Sequence, residues 1–236
     1  MTPPLPRANL VGQSESHLCS ADDAAAIGAP VHADVLQPFL QLRAAAAAEG
    51  FDLTILSGFR TFDRQLSIWN RKASGALAVL DSSARPLDIA TLNARELALA
   101  ILRWSALPGA SRHHWGTDVD VYDLAAKPGD YEVDLVPAEV EAGGMFAPLH
   151  EWLDARIAAG ASFGFFRPYD ADRGGVAPER WHLSYAPLAA ECGGLLTRDV
   201  VRQTISSADM LLKSAVLSQL DEIYERFVTN INPAFA

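Results

Sequence analysis

Ser111-Arg112-His113-His114-Trp115-Gly116-Thr117-Asp118-Val119-Asp120 decides how this chain reads, together with Glu179-Arg180-Trp181-His182 further on. Thr117 to Tyr122 alternates polar and apolar residues, which is the period of a half-buried strand. Val119 and Val121 would face a core, and Asp118, Asp120 and Tyr122 would share the opposite face. Arg180 to Ala186 alternates in the same way, with His182 and Ser184 on one face and Trp181, Leu183 and Tyr185 on the other. The two stretches supply two imidazoles and a carboxylate that could hold one zinc ion, and a second carboxylate for a bound water. A catalytic zinc site needs three protein ligands, an open position and a general base. The chain therefore reads as a metallohydrolase. Glu179 and His182 differ in parity, so serving one site demands a bend near Glu179.

The pattern also resembles a known family. His113 and Asp120, with Ser111 and Gly116 around them, are similar to the SxHxxGxxxD motif of the LAS metallopeptidases. Glu179 to His182 resembles that family's ExWH motif, and Ser57-Gly58-Phe59-Arg60 with Gln65 resembles its SGxRxxxxQ element. All three stand in family order between Ser57 and His182. The group includes VanY-type D-alanyl-D-alanine carboxypeptidases, L,D-carboxypeptidases and D-Ala-D-Ala dipeptidases. The resemblance implies an α+β fold, with helices around a small antiparallel sheet that carries the zinc site, as in hedgehog and the D,D-peptidases. It implies Zn²⁺ on His113, Asp120 and His182, with Glu179 as general base. Arg60 would bind the terminal carboxylate or the developing oxyanion, and Gln65 and Ser111 would hydrogen-bond the carboxylate end. His114 competes with His113; the spacing to Asp120 and the preceding Ser111 favour His113. Asp118 departs from the pattern, standing where the family usually has a small residue such as Ala, and reads as lying beside the ligands or on the surface. Trp181 is expected to pack beneath the site. His17, His32 and His150 show no ligand spacing and read as structural or exposed.

The chain has 236 residues, half of them hydrophobic, enough for one core of ordinary size. Its net charge of −10 argues against nucleic acid and against an anionic membrane surface. Stem peptides of peptidoglycan are anionic too, so the pocket needs local positive charge. Arg60, Arg112 and Arg180 lie inside the motifs and are candidates for it, with solvated surface as the other reading of Arg112 and Arg180. The first residues contain no apolar signal core, and no run approaches a membrane span. Cys19 and Cys192 read as free thiols, and the expected compartment is the cytoplasm.

Three parts are expected: an irregular arm over residues 1–30, the zinc carboxypeptidase domain over 31–196, and a helical extension over 197–236. Within them, Asp34 would cap a helix running to Glu49, with Pro38 in its first turn. A strand over 51–56 leads through Ser57–Arg60 into a helix over 63–73. Asn93 with Glu96 forms a capping box that opens a helix to about Leu107. Residues 76–92 and 123–147 read as loops, 148–159 as a helix, 163–167 as a strand, and 169–178 as a glycine-containing lid. Leu212, Val216, Leu220, Tyr224 and Phe227 recur at three and four residues along the last part, a face packed on the core or on a second copy.

The expected substrate is a peptidoglycan-derived peptide that loses its terminal D-Ala. L,D-cleavage of recycled tetrapeptides is favoured, with D,D-carboxypeptidase or dipeptidase activity as the near alternative. A zinc-containing binding module like the hedgehog domain is the reading from another class. The presence of both Glu179 and Arg60 favours catalysis. Oligomeric state is left open.

Overall fold

The computed structural model describes residues 5–233. Residues 1–4 of the expected arm and 234–236 of the expected extension lie outside the described residues. Four strands form one antiparallel sheet in the order β1-β2-β4-β3. They are β1 (Leu53–Ser57), β2 (Asp118–Asp123), β3 (Phe165–Phe166) and β4 (His182–Tyr185). The α+β class expected from the motifs is the one observed.

One face of the sheet is dry. Val119, Val121, Leu53, Ile55 and Leu183 project from it and are at most 2 % exposed. Helix Ala33–Ala47 covers them with Val35, Phe39, Leu42 and Ala46, and helix Ala147–Ala158 adds Leu149 and Leu153. Each such buried side chain contributes roughly 1.5–3 kcal/mol relative to exposure. A second apolar cluster joins helices Phe62–Ala73, Ala94–Leu102 and Arg198–Ser207 with the turns that follow. Val216, Leu220 and Phe227 are buried in it, with Leu212 and Tyr224 packed against it.

The local reasons for the elements match the sequence in places and differ in others. Asn93 and Glu96 form the expected capping box, but the helix ends at Leu102, short of Leu107. Beyond it the chain turns so that the Trp104 indole can donate to Asp81 O at 2.8 Å. His32, not Asp34, caps helix Ala33–Ala47: its Nδ1 accepts from Asp34 N at 3.1 Å, which places Pro38 in the second turn. The strand expected over 163–167 shrinks to two residues because Phe163 adopts φ +55° ahead of Gly164.

The first thirty residues are less irregular than the sequence suggests. Ser20 caps a helix over Ala21–Ile27, and Leu10, Val11 and Ile27 are buried. This segment braces the loops that carry the motifs. Phe59 N donates to Pro30 O at 2.7 Å, and His32 N donates to Gly116 O at 2.8 Å. Gly58 permits the first contact, since a Cβ there would lie 2.3 Å from Pro30 O. Gly116, at φ +68°, would bring a Cβ within 2.7 Å of His32 N.

Candidate active site

The polar face of the sheet gathers three side chains. β2 and β4 pair so that Asp120 stands directly opposite His182. His113 comes from the single turn Arg112–Trp115, which Gly116 closes just before β2. His113 Nε2 lies 3.3 Å from Asp120 Oδ2, and His182 Nδ1 lies 3.2 Å from Asp120 Oδ1. The ligand atoms of the three residues fall within 4.8 Å of one another, and all three residues are buried. The bend demanded near Glu179 is a tight turn, with His182 N donating to Glu179 O at 3.0 Å. It swings Glu179 back over the face, 3.5 Å from His182 Nδ1.

The hydrogen bonds fix which nitrogens are free. Gly58 O can only accept, so the His113 Nδ1 at 2.8 Å donates and leaves the Nε2 lone pair pointing at Asp120. His114 has no such freedom. Its Nε2 accepts from Gly109 N at 3.1 Å, so its Nδ1 donates to Arg60 O at 2.7 Å. Burial holds its pKa down to about 3, and it props the Arg60 backbone as a neutral ring. His182 is backed by Asp118, whose Oδ1 lies 2.9 Å from its Nε2. Asp118 is fully buried and also accepts from Arg112 Nε at 2.7 Å, Thr117 Oγ1 at 2.6 Å and Ser184 Oγ at 3.1 Å.

The donor set fits a cation. Asp120 Oδ1 is buried and accepts no well-directed hydrogen bond. Burial would raise its carboxyl, but His113 and His182 outweigh burial and hold it well below the usual carboxylate range. Burial pushes the His182 ring down, yet the neighbouring carboxylates of Asp118, Asp120 and Glu179 carry it well above its ordinary value. Two imidazoles and a carboxylate oxygen around one point are a ligand set typical of catalytic Zn²⁺.

A family model described as VanY, D-alanyl-D-alanine carboxypeptidase, matches residues 28–188. The chain belongs to this VanY family. It is therefore a hydrolase of the peptidoglycan carboxypeptidase type. Among curated relatives, an uncharacterized protein of Haemophilus influenzae is 32 % identical over 124 residues, covering 52 % of this chain and 92 % of the relative. A D-alanyl-D-alanine carboxypeptidase of Enterococcus faecalis is 29 % identical over 159 residues, 66 % of this chain and 48 % of that protein. The fold is similar to that of a glutamate-to-alanine mutant of the vancomycin resistance D,D-pentapeptidase VanY in complex with Zn(II) (TM-score 0.51, 21 % identity, 90 % of this chain and 93 % of that one). It is equally similar to the LdcB LD-carboxypeptidase (TM-score 0.51, 19 % identity, 90 % and 80 % covered).

In this VanY-family chain the three ligand candidates open onto a cleft of about 260 Å³. Arg60, Ser111 and Glu179 line it with them. Gln65 does not. It is fully buried beneath Arg60, where its Oε1 accepts from Arg60 Nη1 at 2.9 Å and its Nε2 donates to Ala106 O at 2.7 Å. Both of its polar groups are occupied, so it positions Arg60 instead of facing a ligand. The expected positive charge is also redistributed. Arg112 is buried and its charge is tied to Asp118, with the guanidinium 4.8 Å above the Trp115 ring. Arg180 turns away to Asp154, at 3.0 and 2.6 Å, and to Val140 O. Arg112 still lines the cleft, and Lys72 lines it as well, unmarked by any motif. Trp104 and Tyr169, also unforeseen, form walls: Trp104 stacks on Trp181 at 6.4 Å, and burial pushes the Tyr169 phenol up to about 12. Trp181 itself is buried and lines the cleft floor as well as packing below it.

Proposed function

We propose that this VanY-family enzyme is a zinc carboxypeptidase that removes the terminal D-Ala from peptidoglycan stem peptides. Within that class we assign L,D-cleavage of tetrapeptides during recycling. The observation that carries the catalytic reading is the juxtaposition of His113, Asp120 and His182 with Glu179 on one cleft wall. The three would hold Zn²⁺ through Nε2, a carboxylate oxygen and Nδ1. When bound, zinc lowers the pKa of a water to ~7 and polarises the scissile carbonyl.

This chain's residues supply the rest. Glu179 takes a proton from the attacking water and returns it to the leaving amine. Arg60, locked by Gln65 and by Ser57 Oγ at 3.1 Å, offers a preorganised guanidinium to developing negative charge. Ser111 Oγ is buried on the cleft with no partner among the described residues and is placed to donate to the substrate. Trp104, Trp181 and Tyr169 give the cleft its aromatic walls.

Asp134 supports the L,D assignment. It puts a carboxylate on the cleft wall, suited to the side-chain ammonium of the diamino acid that precedes the L,D bond. The family description and the Enterococcus relative favour D,D-cleavage as the second reading. Product analysis by mass spectrometry separates them. The purified protein is given a muramyl tetrapeptide and a pentapeptide ending in D-Ala-D-Ala, with and without chelator. Chelator-sensitive loss of one Ala from the tetrapeptide alone is the expected result. Loss from the pentapeptide stopping at tetrapeptide transfers the assignment to D,D-cleavage. An intact tetrapeptide and pentapeptide with zinc bound would sink both and favour a binding role.

A further inference from the structure

Lys72 is a charged part of the cleft that the proposed chemistry leaves unused. It stands two helical turns after Gln65 on helix Phe62–Ala73, so both lie on one side of that helix. Lys72 lines the cleft together with Arg60, Ser111 and Glu179. It is partly buried, and no acceptor among the described residues takes a hydrogen bond or forms an ion pair with its ammonium. Burial pushes that ammonium below its ordinary pKa, against the pull of Glu179. Ser111 is 1 % exposed, and its Oγ likewise has no partner among the described residues. Two unpaired donors on one cleft cost desolvation that a ligand acceptor would offset, and an ammonium selects an anionic one.

The other two cations on the cleft are already committed: Arg112 is paired with Asp118 and donates to Ser184 Oγ. Arg60 donates to Gln65 and Ser57, and the carboxylates that act on it are those of Asp120 and Glu179. Arg60 is also tied through its backbone to one of the three ligand candidates, its N donating to His113 O at 3.1 Å, whereas Lys72 reaches the cleft from the far end of helix Phe62–Ala73. An oxyanion forms at the scissile carbonyl, beside those ligands. The terminal carboxylate of the same substrate lies one residue beyond it. We propose that Lys72, with Ser111 Oγ, anchors the C-terminal carboxylate of the substrate and leaves Arg60 to the oxyanion. This rests on the carboxypeptidase reading. It would also make the enzyme an exopeptidase, since a chain extended past the scissile residue has no carboxylate at that point.

The test compares a muramyl tetrapeptide bearing a free terminal carboxylate with its terminal carboxamide. Binding to the zinc-loaded protein is measured by calorimetry in a Glu179→Gln background, which holds the peptide uncut. The carboxylate form should bind about tenfold or more tightly than the carboxamide, the scale of a charge-assisted hydrogen bond. Adding Lys72→Met should erase that preference, and Lys72→Arg should keep part of it, with zinc content and Tm unchanged. With Glu179 present, Lys72→Met should raise KM and hold kcat within about threefold, whereas Arg60→Lys should act mainly on kcat. A preference that survives Lys72→Met, or no preference in the parent, overturns the proposal. A wild type inert on every stem peptide overturns the carboxypeptidase reading separately, because the binding comparison judges Lys72 without turnover.

Discussion

At the scale of single residues, the centre depends on groups that fix the ligand candidates as much as on those candidates. Asp118 holds His182 Nε2 and presents Nδ1 to the site. Asp118→Asn should weaken zinc binding about ten- to a hundredfold, measured by chelator competition. The alanine variant should also destabilise the fold, because it strands the buried Arg112 charge. Glu179→Gln should lower kcat about 10²–10⁴-fold while zinc content stays at the wild-type value. The grouping of His113, Asp120 and His182 with Glu179 was legible in the sequence because the spacing of the motifs is rigid and their chemistry narrow. The orienting partners were not. Nothing in Arg112 or Asp118 alone distinguishes a buried ion pair from two surface charges. Lys72 follows Gln65 at a helical spacing that any amphipathic helix shows.

The elements add a constraint of shape. The bulge between Ile55 and Ser57 on β1 leaves the half-exposed Leu56 unpaired where the strand gives way to the Arg60 loop. That loop passes so close to Pro30 that Gly58→Ala should cost about 1–3 kcal/mol in chemical denaturation, and should also loosen zinc, since Gly58 O orients His113. Asn93→Ala gives the contrast. It removes a capping box remote from the cleft and should cost about 1 kcal/mol with kcat/KM unchanged. Element types followed from periodicity and capping chemistry, as at Asn93 and along Val119 to Val121. Their ends did not, because tertiary partners set them: Trp104 reaches for Asp81 O, and the Glu179 turn delays β4 until His182.

Across the whole molecule, histidines held neutral by full or partial burial couple stability to acid. His17 is held down to about 4 by burial and by His32, and His150 to about 2 by burial and by Arg167 and Arg180. Unfolded, each titrates near ~6.5. Below that pH the unfolded chain binds protons the folded chain refuses, so stability is full above ~6.5 and falls as pH drops from there towards 4. Urea denaturation at pH 7.5, 6 and 5 should show this loss, and His150→Gln should flatten it. A curve for His150→Gln as steep as that of the wild type would remove His150 from the account.

No described helix is long and apolar enough to cross a membrane. The three ligand candidates are far apart along the chain. His113 and Asp120 flank one turn, but His182 arrives only with β4, and Asp120 meets it across the sheet. During synthesis, a nascent chain that has not yet extruded residues 182–185 from the ribosome therefore carries two ligands of three. With zinc held by these three residues, strong metal capture would wait for the last strand, and a half-made polypeptide would neither retain zinc nor display a competent hydrolase.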